Sequence, residues 1–347
     1  MKYILKKTVA TFFVLVGVVL LIFFLFQGLG DPSRMLIGQT GNKETMNNIR
    51  NELHLDESKG KQLLLYLNDL SPVSFYSKTE IEKKQLHGFF FGSSFLLALK
   101  LPYLGRSYQT KKAVTEILSE ALPATLVLTA TAMIFAIIAG ILFGILAALK
   151  KDSWLDNSIV FTTIGGISAP SFFMAILIVY LFAILLHSFT GFNITGSLYE
   201  IDDVTGRKYL ALQNLVLPAL TLGIRPLAII TQVTRSTMLA VLSKDYIRTA
   251  RAKGLSFRRI IFVHALPNAI NPVITVITGW TAELLAGAFF VEYIFGWNGI
   301  GKVTVNAFEK LDYPVVMGSI LFNAGIFIVI NNLTDFIHAK FDPRIRL

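Results

Sequence analysis

The chain contains no cysteine. Disulfides, thiolate nucleophiles and cysteine-based zinc or iron–sulfur sites are therefore excluded. Charge is scarce as well: only 16% of the 347 residues are Asp, Glu, Lys or Arg, against about 25% in soluble domains. The five histidines, His54, His87, His187, His264 and His338, are scattered without metal-ligand spacing, so no metal site is expected. What the chain has instead is apolar sequence, 54% of its residues at a mean hydropathy of +0.61, gathered in blocks. That excludes a water-soluble enzyme and a disordered chain and leaves a polytopic membrane protein. The net charge of +10 points first to cytoplasmic loops and only second to nucleic acid, which is not expected as a partner.

A bilayer core of about 30 Å needs about 20 apolar helical residues. Six stretches qualify: 8–29, 122–149, 157–189, 213–239, 267–291 and 314–338. The third is too long for a straight crossing and contains Ser168-Ala169-Pro170, where a kink or break is expected. The first follows Lys2, Lys6 and Lys7 but is too long for a signal-peptide core and precedes no A-x-A site, so it reads as a retained helix. Lys and Arg concentrate in alternate loops: the N-tail, Lys150-Lys151, the stretch from Arg235 to Arg259, and Lys340, Arg344 and Arg346. The short loops on the other side hold only Arg207, Lys208, Lys302 and Lys310. Both termini are therefore expected in the cytoplasm, with the long loop after the first span outside.

Fold class and organisation follow. The expectation is an all-α polytopic membrane protein with six transmembrane helices and a folded extracytoplasmic lobe between helices 1 and 2. Residues 1–29 form the N-terminal tail and first span, 30–121 the lobe, and 122–347 the core of spans two to six. Within the lobe, Met46, Ile49 and Leu53 have helical spacing. Residues 89–101 are apolar but too short to cross, so they read as a packed segment of the lobe. Gly140 and Gly144 form a small-xxx-small pair that favours close helix packing.

The most informative stretch is 243–272, SKDYIRTARAKGLSFRRIIFVHALPNAINP, the only long cytoplasmic segment. Residues 245–253 are helix formers, Gly254 suits a helix C′ position that needs positive φ, and Ser256 can cap a second short helix carrying Arg258 and Arg259. Pro267 opens the next span. Helix, sharp turn, helix makes a rigid elbow able to carry a push from a cytoplasmic partner into two spans. An ordinary basic loop anchoring helix ends has the same composition.

A resemblance separates the two. The stretch resembles the "EAA" loop of binding-protein-dependent ABC importer permeases: E-A-A, three residues, Gly, nine residues, then I-x-L-P. Ala250, Gly254, Leu266 and Pro267 match, while Arg248 and Thr249 stand for the Glu and first Ala, and His264 for the Ile. Asp245–Gly254 instead fits the D-Y-[IV]-R-T-A-R-A-K-G variant of the dipeptide/oligopeptide/nickel branch. Gly30-Asp31-Pro32, Gly105-Arg106-Ser107-Tyr108, Ser153-Trp154-Leu155-Asp156, Ser168-Ala169-Pro170-Ser171-Phe172, Val291-Glu292-Tyr293-Ile294-Phe295, Asp312-Tyr313-Pro314 and Asp342-Pro343-Arg344-Ile345-Arg346 resemble the same branch in order and spacing. Only about 71–100 falls outside the resemblance, as an insertion in the lobe. The resemblance implies a bacterial inner-membrane permease subunit translocating peptides and no catalysis by this chain. It implies as partners a second homologous permease, two cytoplasmic ABC ATPases that bind the ATP and magnesium, and an extracytoplasmic solute-binding protein. It further implies that Asp245, Arg248, Thr249, Ala250, Arg251, Gly254, Arg258, Leu266 and Pro267 form the ATPase-coupling loop. A nickel-chelate permease of the same family shares these motifs.

Gly296-Trp297-Asn298-Gly299-Ile300-Gly301-Lys302 matches G-x-x-x-x-G-K, but Val303 stands where a P-loop needs Ser or Thr for magnesium, and the segment is expected outside. No nucleotide site is expected here, and no cofactor in this chain. Two ionised residues lie deep in spans, Arg225 and Glu283. They read either as an internal ion pair or a contact with the second permease, or as part of the translocation pathway. An ion-coupled transporter or channel would show inverted repeats or several buried carboxylates, and a membrane enzyme would show a nucleophile, acid/base pair or metal constellation. Neither pattern is present.

Overall fold

The computed structural model describes residues 2–28, 50, 56–92, 95–202 and 205–341. Gly30-Asp31-Pro32, His54, the helix expected over 43–55 apart from Arg50, and the motif at Asp342–Arg346 lie outside the described residues. The chain forms two compact units, Met1–Ala121 with Val303–Ala324, and Leu122–Lys302 with Gly325–Leu347.

In the first unit, helix α1 (Lys2–Gly28) is apolar around most of its circumference, with Phe13, Leu21 and Phe24 exposed, as a lipid-facing helix should be. Helix α2 (Lys59–Leu70) packs on its C-terminal turns: Tyr66 stacks on Phe23 with ring centroids 5.9 Å apart, and Gln27 Nε2 donates to Gln62 Oε1 at 2.5 Å. A short helix α3 (Lys78–Lys84), closed by a Ser77/Glu80 capping box, separates β1 (Val73–Ser77) from β2 (Gly88–Phe91) and β3 (Phe95–Lys100). The strands form an antiparallel sheet in the order β1-β3-β2. The all-α expectation is corrected here. The chain is mostly helical, but Val73–Ser77, Gly88–Phe91 and Phe95–Lys100 are strands, because Phe75, Tyr76, Phe89, Phe90, Phe91 and Phe95 are aromatic residues that suit short strands. A second small hairpin joins β4 (Tyr199–Ile201) to β5 (Lys208–Leu210) in the other unit.

Beneath the three-stranded sheet, the Lys100 ammonium is buried and donates to the Asp69 carbonyl at 2.5 Å and the Ser71 carbonyl at 3.3 Å. Burial holds its pKa below the usual lysine value. Two distant motifs also meet in this unit: Ser107 Oγ donates to Asp312 Oδ2 at 2.5 Å and the Tyr108 amide to Asp312 Oδ1 at 2.9 Å.

In the second unit, α4 (Val114–Leu149, its first turns belonging to the other unit) lies against α8 (Gln213–Leu242) with α5 (Trp154–Ser168), α6 (Ser171–Ile178) and α7 (His187–Thr190) between them in sequence. The glycine pair makes the close approach: a Cβ at Gly140 would come 2.8 Å from Ile230 Cγ2, and one at Gly144 2.5 Å from Thr234 Cβ. At Ala169-Pro170 the chain turns sharply. Trp154–Ser168 and Ser171–Leu185 are bent by 113°, the latter ending in a π-helical segment, Val179–Leu185. Among the described residues, five helices are long and apolar enough to cross a membrane: Val9–Gln27, Val114–Leu149, Gln213–Leu242, Phe257–Leu285 and Tyr313–Thr334. Counting the bent pair as one span gives up to six.

Candidate functional site

The stretch after α8 folds as a hairpin of two short helices. Helix α9 (Asp245–Ala252) places Ile247 and Ala250, three residues apart, on one face. Both are buried against Ile260, Ile261 and Ala265, with Ile145, Ala148, Met238 and Ala269 completing the cluster. Its other faces hold Asp245, Tyr246, Arg248, Thr249 and Arg251, all exposed. The turn is a Schellman motif: the Gly254 amide donates to the Arg251 carbonyl at 3.0 Å and the Leu255 amide to the Ala250 carbonyl at 3.3 Å. Gly254 has φ +74°, as the sequence pattern requires, and a Cβ there would meet nothing within 4 Å. Helix α10 (Phe257–Arg259) follows, exposing Arg258 and Arg259. Ser256 stands at its N-cap, but its side chain makes no capping hydrogen bond; only its carbonyl accepts, from the Ile260 amide at 3.0 Å. A π-helical segment, Ile260–Ala265, leads into α11 (Leu266–Gly287) with Pro267 in its first turn. The nine residues assigned to the coupling loop therefore share one elbow. Ala250 is buried and Leu266 half-buried, and the other seven lie at the surface.

A pairing that the sequence does not reveal anchors the spans beside it. Asp156, in the first turn of α5, is almost fully buried and faces Arg235 of α8 in a two-pronged contact, Nε–Oδ1 2.6 Å and Nη2–Oδ2 2.7 Å. The Asp152 amide adds a third hydrogen bond at 2.9 Å. Arg235 counts only as a loop cation in the sequence, and its partner lies 79 residues away.

Arg225 and Glu283 are both exposed on this chain, and no direct ion pair joins them. The Arg225 guanidinium lies 5.9 Å from the ring centroid of Trp280, one helical turn before Glu283. Counting residues from the outer ends of their spans puts the two about 6 Å apart in depth, which allows a pair; the rotation of each helix about its axis decides whether the side chains meet.

The segment resembling a P-loop has a different purpose. After α12 (Phe289–Ile294), helix α13 (Ile300–Glu309) begins with its amides aimed at Glu292, a fully buried carboxylate. Gly301 N–H donates to Glu292 Oε2 at 2.7 Å, Lys302 N–H at 3.4 Å, and Thr125 Oγ1 to Oε1 at 2.7 Å. Thr125 Oγ1 in turn accepts from the Ile300 amide at 2.9 Å. The glycines give the carboxylate room: a Cβ on Gly299 would come 2.4 Å from its oxygens. Lys302 Nζ turns away to Gly296 O and Asn298 Oδ1, both at 2.8 Å. Glu292 lies outside the membrane-spanning segments, and burial pushes its pKa up to about 7 against the lowering effect of these donors.

Residues 140–347 match the family described as "Binding-protein-dependent transport system inner membrane component", and residues 1–81 match its N-terminal companion, "Binding-prot-dependent transport system membrane comp, N-term". The dipeptide transport system permease protein DppB of Haemophilus influenzae is 42% identical over 256 residues, covering 70% of this chain and 76% of that one. The di/tripeptide transport system permease protein DppB of Pseudomonas aeruginosa is 36% identical over 353 residues, 97% of this chain and 96% of that one. Among solved structures, an inward-facing conformation of the MetNI methionine ABC transporter superposes with a TM-score of 0.51 at 16% identity, covering 66% of this chain and 98% of that chain. That likeness shows the fold.

Proposed function

The chain belongs to the binding-protein-dependent transport system inner membrane components, and on that premise we propose that it is the peptide-translocating permease subunit of an ABC importer. It is a multi-pass inner-membrane transport protein, and membership of a binding-protein-dependent family implies partner ATPases and a solute-binding protein. The finer reading is that six spans, the bent pair counting as one, carry both termini in the cytoplasm and the 30–121 lobe outside. A second homologous permease completes the pore. Two ATPase subunits hold the ATP and magnesium, and this chain performs no catalysis. The relatives, dipeptide and di/tripeptide permeases, favour dipeptides and tripeptides over nickel chelates.

The observation that carries the coupling role is the elbow. Its apolar side is fixed to the spans by Ile247 and Ala250, while its basic side is left free to meet a partner. ATP hydrolysis elsewhere would thus move α8 and α11 through a short, stiff lever. Arg225 and Glu283, facing outward from this chain, read as part of the surface shared with the second permease or of the pathway that surface encloses. The test is reconstitution of the complete importer in proteoliposomes with labelled di- and tripeptides. Uptake that needs ATP inside, binding protein outside and an intact Gly254 is the expected result. Uptake driven by an ion gradient without ATPase subunits would overturn the reading.

A further inference from the structure

The sheet of the lobe has two different faces. Tyr76, Leu96, Ala98 and Lys100 are buried on one. On the other, strand register gathers Val73 and Phe89 on either side of Leu99, and Phe75 and Phe91 on either side of Leu97. Phe95 and Phe89 are 72% and 70% exposed. Four phenylalanines of about 150–250 Å² each, more than half exposed, present on the order of 500 Å² of apolar surface, as large as the largest patch of a typical soluble monomer, which is often functional. The only polar side chain on this face, Ser77, is occupied by its capping box with Glu80. Protein interfaces are also rich in Phe, but they add Tyr, Trp and Arg and about one hydrogen bond per 100–200 Å²; the strand side chains of this face bring neither those three residue types nor a polar group beyond Ser77.

The lobe also stands at a definable level. The apolar stretch of α1 ends at Gln27, and Phe26 packs edge-on against Tyr313, with centroids 5.4 Å apart, where the span Tyr313–Thr334 begins. Two span ends together mark one boundary of the hydrocarbon layer. Helix α2 sits on that boundary through Tyr66 on Phe23 and Gln62 on Gln27. Leu70 lies about 6 Å beyond Tyr66 along the helix, and from Leu70 to Val73 the chain advances by at most about 10 Å, so the sheet starts within about 16 Å of the level at which Tyr66 meets Phe23.

We propose that the Phe/Leu/Val face of this sheet is a monotopic membrane foot, resting in the interfacial layer of the lipid bilayer on the side where α1 ends. The proposal rests on Val9–Gln27 being a span and is independent of what the importer carries.

The cysteine-free chain makes the test direct. Single variants Phe75→Cys, Phe91→Cys and Leu97→Cys, carrying an environment-sensitive fluorophore, are assembled as the whole importer in phosphatidylcholine/phosphatidylglycerol nanodiscs without nucleotide. Lys83→Cys on α3 and Phe13→Cys in α1 serve as aqueous and deep references. Blue-shifted emission, quenched several-fold more by shallow spin-labelled lipid than by iodide with or without solute-binding protein, is the expected result. Iodide quenching at all three sheet positions with Phe13→Cys still lipid-quenched removes the foot alone. If Phe13→Cys is aqueous too, the span and the foot both fall. Emission that shifts only when the binding protein is added makes the face a protein dock and overturns the proposal.

Discussion

Gly254 and Gly301 are both indispensable-looking glycines near the ends of short helices, and they are there for opposite reasons. At Gly254 the constraint is torsional: φ is +74°, and the space around a Cβ is empty. At Gly301 the constraint is spatial: a Cβ would come 2.5 Å from the Phe289 Cα and 2.9 Å from Glu292 Oε2. Two buried carboxylates, Asp156 and Glu292, differ in a related way. Asp156 is answered by a guanidinium, Glu292 by amides and a hydroxyl. One region is held from behind and left open in front, as a contact surface must be. The other is closed around its own polar group, as a structural latch is. Substitutions should separate them accordingly.

The largest effect is expected at the charge pair behind the elbow. Arg235→Ala leaves Asp156 buried without its cation, a loss of about 3–5 kcal/mol, read as a fall in thermal unfolding temperature of the purified complex. Adding Asp156→Asn should restore much of it, since no orphaned charge remains. A double variant as unstable as the single would show that packing, and not charge, is what the pair supplies.

Gly301→Ala comes next, at about 1–3 kcal/mol, because backbone at Phe289 must move. The same measurement on Gly254→Ala should give a smaller loss. Equal losses would erase the distinction between the two turns.

The latch has a pH signature. With its pKa raised to about 7 in the folded chain from an ordinary value of 4.5, Glu292 holds more protons folded than unfolded between those values. Its contribution to stability is complete below about pH 4.5 and is lost as pH rises through about 7. Glu292→Gln should flatten the unfolding temperature over that window, and an unchanged slope would remove Glu292 as its source.

Gly254→Val should cost about 1–2 kcal/mol locally and uncouple ATP hydrolysis from uptake, whereas Gly254→Asn, which tolerates the left-handed region, should keep more of the coupling. If Val and Asn behave alike, the turn is not what couples. The smallest stability effect is expected for Arg248→Glu and Arg251→Glu, within about 0.5 kcal/mol, since the exposed Arg248–Asp245 contact spans 3.8 Å and such pairs contribute about 0–1 kcal/mol. Co-purification with the ATPases should nonetheless weaken, and full retention of both subunits would take the basic face out of the interface.

Local demands were readable from the residues, and distant ones were not. The Gly254 turn and the break at Ala169-Pro170 follow from backbone rules that act within a few residues. Glu292 depends on Thr125, 167 positions away, and Asp156 on Arg235, 79 positions away. The sheet was hidden for another reason. Phe95-Leu96-Leu97-Ala98-Leu99 is apolar at every position, so the two-residue alternation that betrays a half-buried strand is absent. Arg225 and Glu283 have comparable depths by counting residues, but counting along an axis says nothing of which way each side chain points around it.

The π-helical segment Ile260–Ala265 sets the heading of the elbow by a count. Its Leu266 amide reaches back five residues to the Ile261 carbonyl, so the turn holds one residue more than an α-helical turn would. Phe257–Leu285 is thus one rod whose two ends are out of phase by about 100°. Arg258 and Arg259 point where they do because of that extra residue, not because any bond fixes them. Loss of one position between Ile260 and Ala265 would leave the rod continuous and its apolar content nearly unchanged, yet turn the basic end to a different compass bearing relative to Ala269.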